Sequence, residues 1–162
     1  MHPAPELITG SDLRVLIRRV RRTDFTAVMH LLAASGVAVP PPDRATLRRF
    51  RHLVADLGAD FYLALVDGTV AGLVHVTYAR QLAVPPMARL EQLLVSDPLR
   101  RRGVGSKLLA FVRQRATARG CGALVCGRPS LASPARQFLL QAGLQARGEW
   151  FALQLDSGLR PA

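Results

Sequence analysis

The chain has 162 residues, 49% of them hydrophobic, with a formal charge of +11 and an isoelectric point near 11.5. That length and apolar content suit one domain with a good-sized core, and no run approaches the roughly 18 uninterrupted apolar residues of a membrane-spanning helix. The charge comes from 21 arginines and one lysine spread along the whole chain, without aromatic interleaving or a nucleic-acid module, so a nucleic-acid partner is not expected.

Residues 1–11 read as a flexible tail, and the start Met1-His2-Pro3-Ala4-Pro5-Glu6 lacks a basic region followed by an apolar one, so a cytoplasmic protein is expected. Leu13 to Arg18 is strand-like. Thr23 or Asp24 is placed to cap a helix whose apolar residues Phe25, Val28, Met29 and Leu32 recur at helical spacing. Gly36 and Pro40-Pro41-Pro42 end it. Asp43 restarts a helix with Leu47, Phe50, Leu53, Val54 and Leu57 on one face and Arg44, Arg48, Arg49 and Arg51 largely on the other, a solvated face. Phe61 to Val66, the turn Asp67-Gly68 and Thr69 to Tyr78 form a hairpin, because Asp-Gly between apolar runs favours a tight turn. Gln81 to Met87 is a loop and Ala88 to Val95 the next strand. A helix opened by Gly105 turns Leu108, Leu109, Val112 and Ala116 inward until Gly120. A strand at Ala123 to Gly127, a helix from about Ser133 to Ala142 and two strands within Leu144 to Leu155 follow.

The most informative stretch is Leu90 to Lys107, where an apolar strand passes a proline and enters an arginine- and glycine-rich corner that opens a helix. Gly103 and Gly105 let the backbone turn tightly and bring N–H groups to an anion, and the helix adds free amides and the positive end of its dipole. Arg100, Arg101, Arg102 and Lys107 add charge there. The dinucleotide fingerprint wants a third glycine where Leu108 stands, and the Walker pattern wants a Gly-Lys-Ser/Thr order that Gly105-Ser106-Lys107 lacks. A bare helix start among solvated arginines is the competing reading of the corner taken alone.

Arg100-x-x-Gly103-x-Gly105 resembles the R/Q-x-x-G-x-G/A loop of the GNAT superfamily, the acetyl-CoA-dependent N-acetyltransferases. Leu90-Glu91-Gln92-Leu93-Leu94-Val95-x-x-Pro98 is similar to the family's L-E-D/N-L-x-V strand, and Ala135 to Leu144 follows its A-x-x-F-Y-x-x-x-G-F segment with two changes. Order and spacing match over roughly residues 61 to 155. The resemblance implies an α/β (α+β) fold across residues 12–157 as a single domain. Its mixed, mostly antiparallel sheet is flanked by helices, and a splayed strand pair holds acetyl-CoA. It further implies that backbone groups of Leu93, Leu94 and Val95 bond the pantetheine amides, while Arg100, Arg101, Arg102, Gly103, Val104, Gly105, Ser106 and Lys107 hold the pyrophosphate.

Acyl transfer to an amine needs the neutral amine, whereas an alkyl amine with a pKa near 10.4 is mostly protonated at neutral pH. Glu91, one of three glutamates, lies in an otherwise apolar strand, where desolvation would raise its pKa toward the useful range. By strand alternation Glu91, Leu93 and Val95 share a face. The resemblance makes Glu91 the general base, acting through water. The competing reading pairs it structurally with Arg80 or Arg89.

Two departures stand out: Leu139 replaces the tyrosine that protonates the leaving thiolate in many family members, and Leu144 replaces the usual aromatic. Tyr78, Ser130, Ser133, Cys126 or a water are the substitutes, His75 reads as a core or surface histidine, and Ala132 stands near the expected place of a family asparagine. The implied function is transfer of an acetyl group from acetyl-CoA to a primary amine by direct attack. The acceptor is a small-molecule amine or a protein N-terminal or lysine amine, and a homodimer is compatible. The alternative is a degenerate CoA-binding sensor or interaction domain without turnover. No metal is expected, since Cys121, Cys126 and four histidines show no ligand spacing, and both cysteines are expected as reduced thiols.

Overall fold

The computed structural model describes residues 6–8, 13–36, 38–127 and 133–145, which divide between two compact units, Met1–Gly127 and Arg128–Ala162. In the first unit the strands β1 (Glu6–Ile8), β2 (Val15–Arg19), β3 (Ala59–Val66), β4 (Thr69–Ala79), β5 (Met87–Val95) and β6 (Ala123–Val125) form one sheet in chain order. All neighbours are antiparallel except β5 and β6, which run parallel. The mixed, mostly antiparallel sheet flanked by helices agrees with the expected fold class. Glu6–Ile8 corrects the reading of residues 1–11 as a tail, because its apolar Leu7 and Ile8 pair with Leu16 and Val15 at the sheet edge.

Two helices, α1 (Phe25–Ala34) and α2 (Arg44–Ala55), cover one face of the sheet, and α3 (Val104–Ala118) covers the other. Asp43 caps α2, its Oδ1 accepting from the Thr46 amide at 2.8 Å. Asp24 does not cap α1. Its carboxylate accepts two bonds from the Arg18 guanidinium, at 2.7 and 2.8 Å, and a third from the Arg21 amide, which fixes the entry to α1 from behind. Between α1, α2 and the sheet, Val28, Leu31, Phe50, Phe61, Leu63 and Leu73 are buried together. A tilted stack of rings runs from Phe25 through Phe50 to Phe61, with centroids 5.3 and 6.1 Å apart. The hairpin turn at Asp67 and Gly68 has φ of 49° and 78°, the two positive values that a tight antiparallel connection requires.

On the α3 face, Val104, Leu108, Leu109, Phe111, Val112 and Ala116 are buried, the inward stripe expected from the sequence together with Val104 and Phe111. The far end of α3 carries an arrangement that the residue pattern did not mark. Asp60 of β3, 2% exposed, accepts from Tyr78 Oη at 2.6 Å, from Arg119 at 2.9 Å and from Arg115 Nε at 3.2 Å, and Arg19 lies 3.8 Å away. The Arg119 guanidinium also sits 4.3 Å from the centre of the Tyr78 ring. Burial by itself pushes the Asp60 carboxyl up, but the Tyr78 hydroxyl and the Arg115 and Arg119 guanidiniums outweigh it and hold the group below its ordinary value. One carboxylate thus ties β2, β3, β4 and α3.

In the second unit, α4 (Ser133–Gln141) matches the predicted helix and stops at Gly143, whose φ of 86° lets the Gly143 and Leu144 amides bond back to Leu140 and Leu139. The strands expected within Leu144 to Leu155, beyond Gln145, and the loop residues Ser130 and Ala132 lie outside the described residues.

Asp60→Asn is expected to cost about 2–4 kcal/mol at neutral pH, since it removes a buried charge that three arginines face. Because the folded-state carboxyl titrates below its ordinary 3.8, this stabilisation is complete above that value and is lost as pH falls through the folded value. Urea unfolding at a series of pH values should therefore show the gap between wild type and variant closing below about pH 4. A gap that widens there would contradict the account.

Candidate active site

Two irregularities in β5 build the site. Its pairing with β6 covers only Met87, Ala88 and Arg89, opposite Ala123, Leu124 and Val125, so from Leu90 to Val95 this edge of β5 has no strand partner among the described residues. On the other side, His75 of β4 stands opposite Gln92 and Val76 opposite Leu90, which leaves Glu91 as the extra residue of a β-bulge.

The bulge overturns the expected alternation. Leu93 pairs with Val74 and Val95 with Gly72, on the α3 face, whereas Gln92 pairs with His75 and Leu94 with Leu73, on the face of α1 and α2. Glu91 accepts from Thr77 Oγ1 at 2.7 Å, and Thr77, like His75 and Leu73, belongs to that second face. Glu91 therefore does not share a face with Leu93 and Val95: the inserted residue shifts every later side chain by one step.

The backbone is sorted in the same way. The Ser96 amide donates to the Ala71 carbonyl of β4 at 2.9 Å. Alternate residues of an antiparallel strand turn both polar groups to the same neighbour, so Leu94 also turns to β4 while Leu93 and Val95 turn to the open edge. Of the three residues expected to offer free backbone groups, Leu94 is thus committed to the sheet. A Cβ at Gly72 would stand 2.7 Å from the Leu94 carbonyl oxygen and 3.1 Å from Leu108, so glycine is what allows β4, β5 and α3 to meet this closely.

The open edge leads into the predicted anion corner. A short 3₁₀ turn, Asp97–Leu99, places Pro98 in its first turn, and the Arg100 amide closes it on the Asp97 carbonyl. The Arg100 guanidinium is held by Asp97 at 2.8 Å and, more loosely, by the Val95 carbonyl at 3.4 Å. Arg101 has φ of 59°, a left-handed conformation that costs a residue with a side chain about 1–2 kcal/mol, and Gly103 at 84° serves as the N-cap of α3. The first helical bond runs from the Lys107 amide to the Gly103 carbonyl, so the amides of Val104, Gly105 and Ser106 have no partner within the helix. Val104 is fully buried and anchors this turn, while Arg101, Arg102 and Ser106 are exposed. One turn into α3 and beside β2, the Lys107 ammonium donates to the Leu13 carbonyl at 2.7 Å.

Glu91 is not desolvated as the strand pattern suggested, because the bulge carries its side chain outward to 37% exposure. Arg89 Nε lies 4.0 Å from its Oε1, so Arg89 rather than Arg80 is its basic neighbour, at a spacing that leaves the carboxylate open to a further donor. Tyr78, one of the candidate acids, is withdrawn: its hydroxyl donates to Asp60 on the α3 face, and burial followed by that bond pushes its pKa up. Cys121 and Cys126 are free thiols. Burial raises both, and for Cys126 the charge of Glu91 adds to the effect, which keeps the thiol protonated. Among the described residues no group of three His, Cys, Asp or Glu side chains is placed to hold a metal ion.

His75, read from the sequence as a core or surface histidine, is partly buried. Its Nε2 is buried and has no hydrogen-bond partner, and its ring meets the Phe61 ring nearly edge-on at 5.3 Å. Burial lowers its pKa from 6.5, against the opposing charges of Glu91 and Asp56, so the imidazole is neutral at pH 7.

Residues 25–143 match the model of the acetyltransferase (GNAT) family. The chain belongs to the GNAT acetyltransferase family. The same fold appears in a transcriptional regulator from Bacillus halodurans C-125, with a TM-score of 0.77, 23% identity and coverage of 87% of this chain and 99% of that one. A ribosomal-protein-alanine N-acetyltransferase from Brucella melitensis biovar Abortus 2308 gives a TM-score of 0.72, 21% identity and coverage of 87% and 99%. The aminoglycoside N-acetyltransferase AAC(6')-Iy, solved in complex with CoA, gives 0.74, 18% identity and coverage of 92% and 99%. Comparison with curated proteins gives no match. Such identities establish the fold.

Gly72→Ala is expected to lower stability by about 1–3 kcal/mol, because the added carbon meets a backbone oxygen that cannot swing aside. Chemical denaturation reads this as a lower midpoint at unchanged slope. A midpoint equal to that of the wild type would mean that β4 and β5 do not approach this closely.

Proposed function

We propose that the protein transfers an acetyl group from acetyl-CoA to a primary amine by direct attack, with Glu91 taking the amine proton through water. Acetyl-CoA supplies the activated thioester carbonyl that an amine lone pair attacks. The observation that carries the reading is the open edge of β5 running directly into the free amides of α3. Leu93 and Val95 have backbone groups suited to the amides of pantetheine, an instance of strand addition by a small ligand. The amides of Val104, Gly105 and Ser106, with Arg101 and Arg102 beside them, suit a pyrophosphate. Val104 supports the loop from the core, and Arg100 braces it through Asp97. Lys107 contributes through the Leu13 carbonyl, holding α3 to the start of β2.

Glu91 lies at the mouth of the same opening. Among the described residues its close donor is the neutral Thr77 hydroxyl, so the carboxylate keeps acceptor capacity for a water on the amine's path. The acceptor is read as a small-molecule amine or the amine of a protein N-terminus or lysine, since the scarcity of carboxylates does not suit a polycation. Among the similar structures, AAC(6')-Iy is an aminoglycoside N-acetyltransferase and the Brucella protein acts on a ribosomal-protein alanine. Leu139 on α4, in place of a tyrosine, favours a second reading, a CoA-binding domain without turnover. The absence of that acid is tolerable for a thiol leaving group with a pKa near 8.5.

Acetyl-CoA at about a hundred times its dissociation constant is expected to stabilise the protein by roughly 2.7 kcal/mol, and Gly103→Asp to abolish that shift. No shift in the wild type would remove the cofactor reading. Glu91→Gln is expected to keep the shift while lowering kcat by about 10²–10⁴-fold in thiol-release assays on amine acceptors. Binding without turnover in the wild type would leave the second reading.

A further inference from the structure

We infer that Thr77 is a positioning residue of this site: its hydroxyl pins one oxygen of the Glu91 carboxylate, so that the other oxygen meets the water that carries the acceptor's proton. The inference rests on the acetyltransferase reading and adds a residue that the family resemblance does not supply.

Three observations carry it. First, among the described residues the contacts made with the carboxylate fall on the same atom. Thr77 Oγ1 donates to Glu91 Oε1 at 2.7 Å, and Arg89 Nε stands 4.0 Å from that same Oε1. Second, Glu91 needs a tether. As the extra residue of the bulge it has no residue opposite it on β4, and an exposed glutamate left to itself samples many rotamers. Third, Thr77 is a stiff mount. It lies inside β4, with Ala59 of β3 opposite it on one side and Arg89 of β5 on the other, and its branched side chain has little freedom about χ1. A short, stiff side chain thus fixes a long, mobile one. Thr77 is half-buried whereas Glu91 is exposed, so the bond is made on the sheet side of the carboxylate and room for a water remains beyond it.

The chemistry follows from counting hydrogens. The hydroxyl of Thr77 spends its single hydrogen on Oε1, so it orients the carboxylate and takes no part in the transfer. The acceptor's ammonium gives one proton to the water as the water passes one to Glu91 Oε2. The products are the neutral amine, an unchanged water and a carboxyl protonated at Oε2, with the bond from Oγ1 to Oε1 standing before and after. Were Oε1 released, the carboxylate would turn about its last bonds and meet the water in only a fraction of its orientations. The cost falls on proton removal and not on the hold on acetyl-CoA, which the proposed function assigns to the edge of β5 and the start of α3.

The test uses the full chain with Thr77→Val, which keeps the branched shape without the hydroxyl, and Thr77→Ser, which keeps the hydroxyl. With acetyl-CoA and a saturating amine, Thr77→Val should lower kcat by about tenfold, the loss of one hydrogen bond to a charged group, with KM for acetyl-CoA unchanged. Thr77→Ser should recover most of that loss. In the Glu91→Gln background Thr77→Val should cause no further loss, because the carboxylate it positions is already gone. Equal kcat in the wild type and Thr77→Val would overturn the inference, and so would a full additional loss in the Glu91→Gln background, which a merely structural role predicts. A second readout needs no turnover. Three-bond couplings of the Glu91 side chain in NMR spectra should report one χ1 rotamer in the wild type and in Thr77→Ser, and an average over rotamers in Thr77→Val. Averaged couplings in the wild type would overturn the inference whether or not any amine is acetylated, which keeps its failure distinct from failure of the acetyltransferase reading.

Discussion

The site depends on one inserted residue. β5 must pair with β4 along its whole length to complete the sheet, yet Glu91 has no opposite number, so the strand bends there and its side chains change faces. Before the bulge, β5 is an ordinary interior strand flanked by β4 and β6. After it, the strand keeps β4 and leaves β6, and two residues turn their peptide groups to an edge that is unpaired among the described residues. An unpaired edge inside a sheet is costly unless something pairs with it, and under the proposed function an extended ligand with amide groups of its own meets that cost.

Everything around this edge holds it open. Gly72 lets β4 and α3 press against the Leu94 carbonyl, so the strand cannot relax toward β4. Val104 and Leu108 pin the first turns of α3 under the same strand, which aims the free amides of the helix at the end of the edge. At the other end of α3, the Asp60 carboxylate binds Arg115 and Arg119 and so fixes the axis of the helix against β3 and β4. The aromatic stack from Phe25 to His75 supports the opposite face. The polar groups at the opening are thus mounted on two packed layers rather than on loops.

Much of this was legible in the residues. The helical stripes of α1, α2 and α3, the Asp-Gly hairpin and the glycine-rich corner all follow from local rules of spacing and backbone freedom, and the family motif placed Glu91 beside the opening. Other features needed the third dimension. The short strand at Glu6–Ile8 depends on an edge that only the folded sheet provides. The bulge is written as two successive polar residues, Glu91 and Gln92, in an apolar strand, but a register shift is a property of a pair of strands and cannot be counted along one. The bond from Lys107 to the Leu13 carbonyl joins residues far apart in the chain and could not be read along it. Asp60 was unmarked because its role comes from partners distant in the chain.

Amide hydrogen exchange on the full chain, with and without acetyl-CoA, tests the central claim most directly. The account predicts that the ligand slows exchange at the Leu93 and Val95 amides and at those of Val104 to Ser106, while Leu94, already turned to β4, changes little. Ligand binding with Leu93 and Val95 left as fast as before would contradict it, because the open edge of β5 would then not be where the ligand lies.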